Sequence, residues 1–257
     1  MPGTVTVRNI IIGEGIPKII VPIAGSNSRE IFSAAKKMKC LAADVVEWRA
    51  DYFEEALDAG SVIKTLAELR EILGDIPLLF SFRTFKEGGE KSISLEQYEE
   101  LIIMAAKSGY ADLIDVEIFS ADASASGIIE AIHEADCLAV GSNHDFYGTP
   151  EKNEIISRLI KIQDTGADIL KIAVMPVGSG DVLALLEATA EMTEKYSKRP
   201  VVTMSMSGKG VISRIAGEMF GSAMTFGSAG KKSAPGQMPA EELSVMLQMF
   251  HRALQQD

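Results

Sequence analysis

The sequence predicts an α/β protein, a (β/α)8 TIM barrel with a short N-terminal β-hairpin ahead of it. Three observations predict this class. Apolar strand-like runs alternate with helical stretches eight times, the pattern of a parallel sheet with crossover helices. Eight such units in 257 residues suit a closed barrel. Unusual polar residues also gather where the strand-like runs end, which is where such barrels carry their chemistry. The structural alternative is an open doubly wound sheet. No Gly-x-Gly-x-x-Gly follows the first strand, which weakens its dinucleotide-binding form. With no linker or low-complexity segment, 1–257 reads as one barrel domain that includes a hairpin at 1–16.

The hairpin is expected because Thr4 to Val7 alternates, Ile10-Ile11-Ile12 is apolar, and Gly13-Glu14-Gly15 stops the run. Strands are expected at 18–23, 44–48, 77–82, 111–118, 137–143, 168–174, 200–206 and 223–226. The helical periodicity covers 28–38, 61–73, 95–107 and 126–134 in the first half, the last being the shortest. In the second half it covers 149–165, 181–196, 210–220 and 239–256. Ser94 with Gln97 three residues on is a capping-box pattern, and Thr149-Pro150 places a proline at a first helical position.

The sixth strand carries the sharpest anomaly. Ile169, Leu170, Ile172 and Val174 suit a strand covered on both faces, yet Lys171 sits among them. A lysine is almost never fully buried unless something pairs with it or uses it. Either Lys171 snorkels from the strand end into water, or it is a desolvated amine nucleophile.

Composition narrows the classes. A formal charge of −11, from 25 basic and 36 acidic residues, argues against nucleic-acid or anionic-membrane partners. The two cysteines, Cys40 and Cys137, have no metal-ligand spacing and suit a reduced, cytoplasmic setting. No signal peptide and no membrane-length apolar run is evident.

The polar residues at strand ends form one collection. Glu47-Trp48-Arg49-Ala50-Asp51 ends the second strand, and Ser81-Phe82-Arg83 with Lys86-Glu87-Gly88-Gly89-Glu90 follows the third. Asp115 and Glu117 lie on the fourth, Ser142-Asn143-His144-Asp145 ends the fifth, and Lys171 is on the sixth. Met204-Ser205-Met206-Ser207 ends the seventh, with Arg214 beyond, and Ser233-Ala234-Pro235-Gly236-Gln237 follows the eighth. Alternation along a strand puts Glu47 and Arg49 on one face and Val46 and Trp48 on the other, and likewise pairs Asp115 with Glu117.

These stretches, in this order and over essentially the whole chain, resemble the type I 3-dehydroquinate dehydratases, the Schiff-base class of the shikimate pathway. The resemblance rests also on Leu170-Lys171-Ile172-Ala173 and Gly210-Val211-Ile212-Ser213-Arg214. Gly141 departs from the pattern, where a larger residue is expected, with an effect on packing rather than chemistry. The resemblance implies dehydration of 3-dehydroquinate to 3-dehydroshikimate through an imine on Lys171, its pKa lowered by apolar flanks and neighbouring arginines. It implies His144 as general acid/base and Glu87 as the group that orients it. It also implies that Arg214 binds the substrate carboxylate, that Glu47, Arg49 and Arg83 line the pocket, and that Ser233 and Gln237 close over the ligand. Met204 and Met206 would supply apolar wall, and Gly227, Gly230 and Gly236 would free the last loop as a lid. No metal or other cofactor is implied; the partners are the small-molecule substrate and a second copy in a homodimer, with no nucleic acid or membrane. A class I aldolase, the nearest rival with a lysine imine, would need a phosphate site in the late loops. A non-catalytic barrel would not need Lys171, His144 and Glu87 together.

Overall fold

The computed structural model describes residues 2–230 and 234–256. The N-terminal hairpin pairs β1 (Val5–Val7) antiparallel with β2 (Ile10–Ile12). Eight parallel strands follow: β3 (Lys18–Ile23), β4 (Val45–Arg49), β5 (Leu78–Ser81), β6 (Leu113–Glu117), β7 (Leu138–Asp145), β8 (Ile169–Val174), β9 (Val201–Ser205) and β10 (Met224–Ser228). The short β11 (Met238–Pro239) pairs parallel with β10. The hydrogen-bonded order β11-β10-β3-β4-β5-β6-β7-β8-β9 curls the sheet on itself. β9 and β10 meet without a regular ladder. Ala223 N–H donates to the Val201 carbonyl at 2.7 Å, and Ser222 Oγ accepts from Thr203 N–H at 3.1 Å, so one serine side chain replaces ladder bonds at this seam.

The helices are α1 (Ser28–Met38), α2 (Ala59–Leu73), α3 (Leu95–Lys107), α4 (Ile118–Ala121), α5 (Ala125–His133), α6 (Lys152–Asp164), α7 (Ser179–Glu191), α8 (Ile212–Ile215), α9 (Gly217–Phe220) and α10 (Ala240–Leu254). Where capping chemistry is explicit in the sequence, the bounds are sharp. Asn27 Oδ1 accepts from Glu30 N–H at 3.1 Å to start α1, and the Ser94–Gln97 capping box starts α3. Three helical expectations need correction. Thr149-Pro150 does not open α6, which begins two residues later; Thr149 Oγ1 instead donates to the Met175 carbonyl at 3.0 Å, tying the two loops together. The segment 210–220 is two short helices broken at Ala216, a bend that sets Arg214 inward. The segment 181–196 ends in a π turn at Met192–Tyr196, not in regular helix.

The alternation of side chains builds two cores. Outward residues such as Val46, Trp48, Phe80, Ile114, Leu170 and Ile172 pack under the helices. Inward residues Ile20, Val45, Leu79, Leu113, Val140, Ile169, Val202 and Met224 form one apolar floor, and Val5, Val7 and Ile12 of the hairpin join it from below. The floor matters for function because the next inward positions above it are Glu47, Ser81, Asp115, Ser142 and Lys171. The polar groups therefore sit on a dry base and open only toward the C-terminal ends of the strands.

Gly141 lies on the outward side of β7. A Cβ there would sit 2.6 Å from Ile162 Cγ2 of α6 and 2.9 Å from Ala167 Cβ, so the glycine lets α6 approach the sheet. Gly141→Ala is expected to lower the unfolding free energy by about 1–3 kcal/mol. Urea unfolding checks this, and a variant as stable as the wild type would contradict the packing reading.

Candidate active site

Glu47, Arg49, Arg83, Glu87, His144, Lys171, Arg214 and Gln237 all line one cavity of about 220 Å³ at the C-terminal end of the barrel. Ser233 lies outside the described residues. His133 and His251 sit elsewhere, bonded to Asp168 at 2.8 Å and to Glu218 at 2.6 Å. Met204 and Met206 form part of the wall.

Lys171 is buried at 3% exposure, so it does not snorkel. Its Nζ donates to Asp115 Oδ2 at 2.9 Å, lies 3.9 Å from Glu47 Oε1, and faces the Phe226 ring at 4.8 Å from the centroid. The groups in ion-pair contact with the ammonium are therefore carboxylates, not the arginines that the sequence suggested. Asp115 is the hinge of this arrangement. Its other oxygen accepts from Arg83 Nη2 at 2.9 Å and from Ser142 Oγ at 2.6 Å. Burial alone would raise the Asp115 carboxyl. Arg83, Lys171 and the Ser142 hydrogen bond outweigh it and hold the group at about 2.

Arg83 ties together three carboxylates, two from β6 and one from the loop after β5. Besides Asp115, its Nη1 donates to Glu117 Oε1 at 2.9 Å, to Ser142 Oγ at 3.2 Å and, at 3.5 Å, to Glu87 Oε2. Glu117 is closed off further by Thr84, which donates its N–H at 2.8 Å and its hydroxyl at 2.7 Å. Arg49 is held by a two-pronged pair with Asp51, at 2.7 and 2.8 Å. Arg214 differs from both. Among the described residues its guanidinium donates only to the carbonyls of Phe226 (3.4 Å) and Pro235 (3.1 Å), and its Nε is buried with no partner. Burial pulls it down to about 10, with no carboxylate among the described residues to oppose the shift.

His144 and Glu87 form a second unit. Glu87 Oε2 accepts from the His144 backbone N–H and lies 2.9 Å from His144 Nδ1, while Glu87 Oε1 accepts from Asn143 Nδ2 at 3.3 Å. Burial pushes the Glu87 carboxyl up, reinforced by Glu117 and opposed by Arg83. Burial, with Arg83, Lys171 and Arg49, pushes His144 well down. The imidazole is thus held toward its neutral form beside the Glu87 carboxyl.

The last loop is tied to its neighbour rather than free. Ser207 N–H donates to the Pro235 carbonyl at 3.2 Å, and a Cβ at Gly236 (φ +79°) would run into the Ser207 carbonyl. Gly227 is no loop hinge: it lies in β10, where a Cβ would sit 3.0 Å from Ala240 Cα. Asp115 and Ser142 stood in the sequence's polar collection without a role, and Phe226 was not singled out. Strand parity was the signal that could have found all three. Among the described residues no three His, Cys, Asp or Glu side chains are grouped to hold a metal, and no helix is long and apolar enough to cross a membrane.

A family model described as type I 3-dehydroquinase matches residues 19–253. The 3-dehydroquinate dehydratase of Bacillus licheniformis is 51% identical over 254 residues, covering 99% of this chain and 100% of the relative. That of Clostridioides difficile is 50% identical with the same coverage. The crystal structure of a type I 3-dehydroquinate dehydratase from Clostridium difficile with covalently modified comenic acid matches at a TM-score of 0.95 and 50% identity, covering 98% of this chain and 99% of the other.

The depressed Asp115 carboxyl gives a signed prediction. A carboxylate stabilised in the folded state contributes above its unfolded pKa and loses that contribution as pH falls through its folded value. Unfolding free energy should therefore drop between pH about 4 and about 2, with a share on the order of 2 kcal/mol from Asp115. Urea unfolding across that window should show a shallower decline in Asp115→Asn; an equal decline would contradict the assignment.

Proposed function

This chain belongs to the type I 3-dehydroquinase family, and we propose that it dehydrates 3-dehydroquinate to 3-dehydroshikimate through an imine on Lys171, with His144 as general acid and base. The observation that carries the proposal is a buried lysine amine opening into the same cavity as a neutral imidazole already paired to a carboxyl.

The ammonium must first give up a proton. Asp115 is a poor destination, since its carboxyl is held at about 2. The imidazole lines the same cavity and is backed by the Glu87 carboxyl, so it is the proton acceptor the proposal uses. The amine then attacks the substrate ketone, and loss of water gives an iminium. That cation stands where the ammonium stood, so Asp115, Glu47 and the Phe226 ring stabilise it with little rearrangement. The iminium draws electrons from the adjacent C–H bond as His144 removes the proton. The electron pair returns to expel the β-hydroxyl, which leaves as water after taking a proton from the imidazole. Hydrolysis of the imine releases the enone and restores the amine. Glu87 holds the imidazole by Nδ1, and when Nε2 gains a proton the Nδ1–H donates to the Glu87 carboxylate, so His144 never stands as an isolated buried cation.

Arg214 reads the substrate carboxylate. Arg83 has its charge committed to Asp115, Glu117 and Glu87, and Arg49 to Asp51, whereas Arg214 meets only carbonyls among the described residues. A buried guanidinium in that state gains most from a planar anionic ligand. Glu47, fixed by Ser81 Oγ at 2.9 Å, faces the substrate hydroxyls, and Gln237 lines the cavity from the last loop. Assembly as a homodimer and a cytoplasmic setting follow from the family and belong to the same proposal.

Enone absorbance tests the chemistry. Lys171→Ala is expected to abolish turnover while still binding ligand, and His144→Ala to lose most turnover while forming adduct slowly; near-normal rates in either would remove that residue from the mechanism. Arg214→Met is expected to lower kcat/KM by roughly 10- to 100-fold, the worth of a charged hydrogen-bond pair. Its unfolding midpoint should be no lower than wild type, since it removes a buried cation with no carboxylate; a stability loss with intact kcat/KM would contradict the assignment.

A further inference from the structure

His144 is flanked on β7 by two residues whose side chains are gripped from outside the barrel wall. Arg158 on α6 donates from Nη1 to Asn143 Oδ1 at 3.2 Å and to Asp145 Oδ2 at 3.4 Å. Arg158 is itself fixed: its Nε donates to Glu154 Oε1 at 2.8 Å, one turn earlier, and its guanidinium lies over the Phe119 ring at 5.9 Å. Asp145 Oδ1 in turn accepts from the N–H groups of Tyr147 and Gly148, shaping the loop that follows.

We infer that Arg158 is a positioning residue for the Glu87–His144 pair, acting through the side-chain amide of Asn143. A guanidinium can only donate. Its contact with Asn143 therefore forces the amide oxygen toward α6, and the amide nitrogen must face the other way, toward Glu87 Oε1. An amide N–H favours the ionised form of Glu87, and an amide oxygen turned to the same place would repel it. Arg158 thus decides, from outside the cavity, which end of Asn143 meets the carboxylate. The inference rests on the reading of His144 and Glu87 as the acid–base pair. Arg49, Arg83, Asp115, Glu117 and Lys171 also face this pair and are unaltered by changes at Arg158.

Without the grip, the amide is free to turn and Glu87 holds its proton to higher pH. The test measures kcat and KM against pH, from about 5 to about 10, on the full chain by enone absorbance. The proteins are wild type, Arg158→Ala, Asn143→Ala, the double variant, Arg158→Lys and Lys161→Ala. Lys161 is the control: its ammonium lies 4.8 Å from the centroid of the same Phe119 ring, so its removal takes a charge from α6 without touching Asn143. In Arg158→Ala and Asn143→Ala the acid limb of kcat is expected to move up by about one pH unit, with a roughly tenfold loss at neutral pH that recovers in alkali and KM within about twofold. The double variant should match Asn143→Ala alone, because Arg158 acts through that amide. Arg158→Lys should recover part of the shift, and Lys161→Ala should overlay wild type. The inference is overturned if Arg158→Ala overlays wild type, if the two losses add, if Lys161→Ala reproduces the shift, or if the loss is independent of pH. His144→Ala separates the two levels. Full turnover in that variant removes the underlying acid–base reading, whereas a dead His144→Ala beside a wild-type-like Arg158→Ala removes only the role of Arg158.

Discussion

The contact between Lys171 and Asp115 is the constraint on which the rest of the site depends. A lysine at 3% exposure is tolerable only with a close counter-charge, and Asp115 supplies it at 2.9 Å from two strands away. That carboxylate then needs its own partner, because one ammonium does not satisfy a buried carboxyl with two oxygens. Arg83 fills the second oxygen, together with Ser142. Arg83 in turn brings in Glu117 and Glu87, and Glu87 brings in His144. Lys171 and His144 are thus joined by one chain of charged hydrogen bonds.

The barrel makes this network possible by keeping its two faces apart. The apolar floor from Ile20 round to Met224, sealed by the hairpin, excludes water from below. Charges above it interact in a medium of low polarity, where pairing is strong and an unpaired group is costly. Arg214 is the exception, a buried cation that meets only carbonyls among the described residues. The three arginines look alike in sequence, and only their partners separate Arg49 and Arg83, paired to carboxylates, from Arg214.

Much of this was legible in the sequence, and for physical reasons. Strand parity put Glu47 and Arg49 on one face and Val46 and Trp48 on the other, and the first pair lines the cavity while the second packs under the helices. The α3 bounds followed from the Ser94 capping box. The unreadable parts depend on contacts between distant elements. Asp115 reaches Lys171 across β7, so its partner follows from barrel curvature and register, which no local pattern encodes. The break at Ala216 was hidden because 210–220 has helical periodicity throughout. Thr149-Pro150 looked like a helix start, but the Met175 carbonyl competes for that hydroxyl. Nothing in the local pattern singles out Arg158, since its grip on Asn143 exists only once α6 lies against β7.

The most direct measurement is mass spectrometry of the protein reduced with borohydride in the presence of 3-dehydroquinate, followed by peptide mapping. The account predicts one reduced dehydroshikimate adduct per chain, on the peptide that contains Lys171. An adduct on another lysine, or steady turnover with no trapped adduct, would contradict it.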